Sequence, residues 1–121
     1  MAYYGISAIH WNANLGEIDE VQLRKIVRQW REGVFKLSHA EPAWCSDVVG
    51  LIRGGDKVWV MVSDGSGKYK NTDRVRVNVK RDGRPYLYSC TGDGTPTSAL
   101  TELPRYLRPD DPAQAPGPSP P

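Results

Sequence analysis

Arg74 and Arg76 alternate with Val75, Val77 and Val79, so two guanidinium groups project from one side of a short extended run. Each guanidinium can make two charge-assisted bonds to a phosphate, which makes an adjacent arginine pair suited to gripping an anion. Downstream lies Thr91-Gly92-Asp93-Gly94-Thr95-Pro96-Thr97, whose Asp and Thr side chains can bond hydroxyl, amide or sugar groups and whose glycines allow close backbone approach. Arg74, Arg76, Asp93, Thr95 and Thr97 are therefore the candidate ligand-binding residues. The same types also suit a solvated sheet face followed by an ordinary turn.

The elements that must position these residues can be read from the pattern. Period-two alternation over Arg74–Lys80 predicts a strand with one apolar and one basic face. Asp82-Gly83 predicts a two-residue type I′ turn, because both residues tolerate positive φ. That turn sets Val79 opposite Tyr86, Val77 opposite Tyr88 and Val75 opposite Cys90. It places both tyrosines with the valines, and Leu87 and Ser89 among the basic residues. Ser98 to Pro104 reads as one helical turn or docking segment stopped by proline.

Upstream, Tyr3 to Trp11 has strand composition and Asn12 to Gly16 forms a turn. Ile18 to Trp30 fits a helical face capped by Asp19, and equally a strand through Val21, Leu23, Lys25 and Val27. Val34 to Leu37 is a short strand. Ser46 to Gly55 reads as a capped two-turn helix ended by glycine. Lys57 to Ser63 reads as a strand buried on both faces, with Trp59 near the core or a subunit contact. The expected fold is α+β, a mostly antiparallel β-sheet with one short helix. Residues 1–105 make one compact domain, and the proline-rich residues 106–121 a disordered tail.

The chain has 121 residues, 16 basic and 14 acidic side chains and a net charge of +2, well short of the strongly basic balance of a dedicated nucleic-acid binder. Any basic patch must be local. No apolar run approaches the roughly 18 residues of a membrane span, so no membrane is expected. Cys45 and Cys90 lie in separate segments and, with no signal peptide in view, read as reduced thiols of a cytoplasmic protein.

Other chemistries find less support. His39-Ala40-Glu41 shares the His-x-Glu of zinc deaminases, but the Pro-Cys-x-x-Cys that should follow is missing, so no metal site is expected. Gly65-Ser66-Gly67-Lys68 ends like a phosphate-binding P-loop, yet Val62 stands where the first glycine belongs and Tyr69 where magnesium needs a hydroxyl. Neither cysteine has a flanking activator, and His10 beside Trp11 reads as a satisfied sheet residue. No catalytic residue and no cofactor are assigned, and the protein is not expected to be an enzyme.

At Tyr86-Leu87, Asp93, Thr95, Thr97, Leu100 and Leu103-Pro104, the chain resembles a family of small uncharacterised bacterial and phage proteins. That family's carboxy-terminal signature runs aromatic, Leu, basic, Thr, Asp, a Thr-rich stretch, Asp-Asn-Leu and Leu-Pro. The signature is similar to that of the first family of phage Thoeris anti-defence proteins, non-catalytic sponges that sequester cyclic ADP-ribose-type immune signals in oligomer pockets. Ile6 to Ile9, Gly16-Glu17-Ile18 and Gly55-Asp56 add to the likeness, which spans residues 3 to 105. Tyr88, Ser89 and Ser98-Ala99 depart from the pattern.

The resemblance implies a strand for Ile18 to Trp30 and a homo-oligomer in the cytosol, the host's if the chain is phage-encoded. It also implies sequestration of a phosphate-bearing, nucleotide-derived small molecule, such as a cyclic oligonucleotide or cyclic ADP-ribose-type signal. Two other readings are a nucleic-acid-binding β module using Arg74, Arg76, Lys80, Arg81 and Arg84, and a protein-interaction module without a small-molecule ligand, in which Trp59, Tyr86 and Tyr88 form an oligomer contact and the basic strip meets an acidic partner.

Overall fold

A computed structural model describes residues 2–108. Eight strands and one helix follow in the order β1 (Tyr3–Asn12), β2 (Glu17–Arg31), β3 (Val34–Leu37), β4 (Glu41–Trp44), α1 (Cys45–Arg53), β5 (Lys57–Ser63), β6 (Tyr69–Val79), β7 (Pro85–Cys90) and β8 (Pro96–Thr97). The fold is α+β and mostly antiparallel, as the alternation predicts. Among the described residues no helix is long and apolar enough to cross a membrane.

Ile18 to Trp30 is strand. β2 pairs antiparallel with β1 over Tyr4–Asn12, and its apolar residues meet those of β1, Ile6 opposite Leu23 and Ile9 opposite Val21. The β-branched Ile18, Val21, Ile26 and Val27 favour a pleated surface over a helix, where their χ1 freedom is lost. β1 also pairs in parallel with β5, Tyr3 to Ile6 against Lys57 to Val60. β5 leads to β6, and β6 meets β3 at Val34–Lys70 and Phe35–Tyr69. β1, β2, β3, β5 and β6 thus close into a ring, which leaves these strands without a long open edge.

The core joins Ile6, Ile9, Val21, Val58, Val60 and Val75 of the sheet to Val48 and Val49 of α1 and to Leu87, Leu100 and Leu103. At about 1.5–3 kcal/mol for each large apolar side chain removed from water, Leu100 and Leu103 can hold an otherwise polar segment in place. That segment is the expected helical turn, with the Glu102 N–H bonded to the Ser98 carbonyl at 3.0 Å. Gly5 lies where a Cβ would overlap the side chain of buried Met61, so only glycine fits this part of β1.

α1 begins earlier than the sequence suggests. Trp44, not Ser46, is its N-cap; no side chain caps it in the usual way, and the Asp47 carboxylate accepts the Trp44 N–H at 3.3 Å. Tyr106 and Arg108, which composition assigns to the tail, are instead tied to the sheet. The Tyr106 N–H bonds the Ile9 carbonyl at 3.0 Å, and the Ile9 N–H bonds the Pro104 carbonyl at 2.9 Å. The rest of the expected tail, residues 109–121, lies outside the described residues.

Candidate functional site

The β6–β7 ribbon carries the arginine pair, and its register differs by one residue from the expectation. Val75 faces Ser89, Val77 faces Leu87 and Val79 faces Pro85, while Arg74, Arg76 and Asn78 face Cys90, Tyr88 and Tyr86. The cause is the turn. Asp82 keeps a negative φ and only Gly83 turns positive, at 88°, giving a three-residue loop closed by the Lys80 N–H on the Arg84 carbonyl at 2.9 Å. Asp82 is held there by accepting the Arg84 backbone N–H at 3.0 Å and its Nε–H at 2.9 Å. Both tyrosines therefore join the arginines, and Leu87 and Ser89 join the valines.

On the arginine face, Arg74 stands across from Trp59 of β5, and its guanidinium carbon lies 5.2 Å from the indole centroid. Tyr3 stacks obliquely beyond, 5.8 Å from the same ring. The Arg74 Nε is shielded from water and has no hydrogen-bond partner. Burial first, and Arg76 beside it second, pull the Arg74 pKa down from its ordinary value. Arg76 is exposed, and neither arginine forms an ion pair among the described residues. Tyr86 and Tyr88, 6.4 Å apart, continue the row.

Lys80 and Arg84 of the basic strip are neutralised. Glu17 binds Lys80 closely and Arg84 at 3.5 Å, and Asp82 takes Arg84 as well. The five cations that a nucleic acid was expected to meet here thus reduce to Arg74, Arg76 and Arg81 at the turn.

On the opposite face, Ser89 is 1% exposed. Its hydroxyl oxygen accepts the Leu100 N–H at 3.0 Å and lies 2.9 Å from the Thr97 hydroxyl. The Thr97 hydroxyl also donates to Asp73. Thr97 therefore lies on the side away from Arg74 and Arg76, engaged in fastening β8 to β7. Beside it opens a cavity of about 290 Å³ walled by Trp11, Ile18, Cys45, Leu87, Thr97 and Leu100.

Asp93 and Thr95 form a third group. One Asp93 carboxylate oxygen accepts the Thr91 hydroxyl, the Thr95 N–H at 3.2 Å and the Thr95 hydroxyl at 3.0 Å. The Thr91 hydroxyl, then the Thr95 backbone, hold this carboxyl below its usual range. The loop satisfies itself. The structure thus brings Arg74 and Arg76 together and leaves Asp93 and Thr95 in a self-bonded turn and Thr97 in a strand contact.

Both cysteines are free thiols. Burial, then Asp19, Glu17 and Glu20, push the Cys45 thiol up to about 12, away from the thiolate a nucleophile needs. His10 is 3% exposed and its Nδ1 lies 2.6 Å from Asp19, the satisfied sheet residue expected. Sequence reasoning missed its neighbours. The Tyr106 hydroxyl donates to Glu20 at 2.6 Å, and Arg108 reaches Asp19 at 3.4 Å and Glu20 at 3.5 Å. Burial and Glu20 drive the Tyr106 hydroxyl pKa up. The cluster fastens residues 106–108 to β1 and β2. Among the described residues no group of three or more His, Cys, Asp or Glu is placed to hold a metal ion. Compared with known proteins, the chain matches no family model, no curated protein and no solved structure.

Proposed function

We propose that this chain is a non-catalytic binding protein that sequesters a phosphate-bearing, nucleotide-derived small molecule, with Arg74 and Arg76 as the anion grip. One observation carries the reading: two adjacent guanidinium groups share a face, one of them with a buried unpartnered Nε, and no carboxylate among the described residues forms an ion pair with either. Burying part of a charge and setting another beside it destabilises the empty protein. A bound phosphate would relieve both costs through charge-assisted bonds. Trp59 and Tyr88 stand across from Arg74 and Arg76 and set aromatic surface beside the pair. The held-protonated Cys45 removes one route to turnover. The resemblance to the Thoeris anti-defence sponges supplies the ligand class, cyclic ADP-ribose isomers and cyclic oligonucleotides, and the role of a homo-oligomeric anti-defence sponge acting in the host cytosol.

The test is native mass spectrometry of the purified chain before and after addition of those two ligand panels, followed by denaturing release. Retention and return of an intact ligand, lost in Arg74→Ala/Arg76→Ala, supports the reading. Protein that stays empty across the panel, or releases a converted ligand, overturns it.

A further inference from the structure

A second cationic surface lies where the β2–β3 hairpin meets the start of β6. The β3–β6 contact brings the loop before β6 against the hairpin, so residues far apart in sequence become neighbours. Trp30, 42% exposed, has the Arg28 guanidinium 4.3 Å and the Lys68 ammonium 5.3 Å from its ring centroid. Arg28 stands directly opposite Lys36 across the strand pair, and Arg31 and Lys70 are exposed nearby.

Like charges facing each other across antiparallel strands oppose folding. None of these five cations is ion-paired among the described residues. Glu32 and Asp64 are the acidic residues of residues 28–36 and 64–70. Asp64 feels the Lys68 charge, but its carboxylate is occupied by the Ser66 N–H at 2.9 Å and hydroxyl at 2.6 Å. The near-neutral total also conceals a segregation. Residues 24–36 and 64–84 hold twelve of the sixteen basic side chains and four of the fourteen acidic ones.

We propose that this surface binds single-stranded nucleic acid, with Arg28, Arg31, Lys36, Lys68 and Lys70 on successive phosphates and Trp30 as a stacking face for a base. A row of cations spread over three strands matches a repeating diester better than a single phosphate, and an exposed indole among them suits an unpaired base. The inference is independent of the ligand grip at Arg74 and Arg76.

Fluorescence anisotropy of a labelled oligothymidylate with the full chain tests it. With five phosphates engaged, at a slope of roughly −0.7 per phosphate, raising salt from about 50 to 200 mM lowers affinity on the order of a hundredfold. Arg28→Gln/Lys36→Gln should weaken binding at least tenfold and flatten the salt slope while the melting temperature holds or rises. Trp30→Ala should weaken it about tenfold with the slope kept, and Arg74→Ala/Arg76→Ala should leave it intact. Four outcomes overturn the proposal: no binding at the lower salt, no response to the Arg28 and Lys36 changes, dependence on Arg74 and Arg76 instead, or tighter retention on phosphatidylserine vesicles than on the oligonucleotide.

Discussion

The two faces of the β6–β7 ribbon are cut from one alternating sequence, yet they treat polarity in opposite ways. Toward α1, the Ser89, Thr97 and Asp73 side chains and the Leu100 N–H satisfy one another around buried Val75, Leu87 and Leu100. On the other face, Arg74 and Arg76 stand beside each other and beside Trp59 and Tyr88 with no carboxylate among the described residues to answer them. The difference separates a face that holds the fold together from one left with an unmet electrostatic demand. A buried polar group that is satisfied adds little net stability, but removing its partner is costly, whereas removing an unpaired charge costs the fold little.

That contrast is open to attack by substitution. The largest effect expected is on binding: Arg74→Ala/Arg76→Ala removes two charge-assisted grips worth about 1.5–3 kcal/mol each. Phosphate-ligand affinity measured by calorimetry should fall a hundredfold or more, while the melting temperature holds or rises. On the α1 face, Leu100→Ala should lower unfolding free energy by about 2–5 kcal/mol in urea titration, through lost burial and the cavity left behind. Ser89→Ala deprives the Leu100 N–H and Thr97 of a partner and should cost about 1–3 kcal/mol by the same assay. If it costs nothing, the contrast between the faces fails. Gly83→Ala, which forces a side chain into φ of 88°, should cost about 1 kcal/mol and leave the register unchanged by amide exchange.

A pH experiment probes the cavity wall on the α1 side. The folded Cys45 thiol has a pKa raised to about 12 from an ordinary 9.0, so the folded state holds its proton more tightly. Its contribution to stability is complete below about pH 9 and fades as pH climbs from 9 toward 12. Cys45→Ala should therefore show a shallower alkaline decline in urea midpoint than the parent chain.

Much of this molecule could be read from the sequence, and the misses have identifiable causes. Strands with strict alternation, the α1 segment and the arginine pair were legible because period-two alternation and a glycine stop after an apolar run are local patterns. The register was not, since it hinged on whether Asp82 would adopt positive φ or instead bind Arg84. Placing Thr97 with the arginines failed for a related reason. Its side is set by pairing with Ser89, which no spacing within Thr91 to Thr97 encodes. The Trp30 cluster and the His10, Glu20 and Tyr106 network escaped notice because each is completed by a residue from a distant segment, Lys68 in the first and Tyr106 in the second.

The partners of β1 have a temporal meaning. Its edge away from β2 is met first by β5, more than fifty residues downstream, and then by Pro104 and Tyr106 around Ile9. β1, made before the other described strands, is thus fully enclosed only once residue 106 has followed. A nascent chain that has not yet delivered residue 106 presents the Ile9 N–H and carbonyl as an open template, and a truncation before Pro104 makes that transient state permanent.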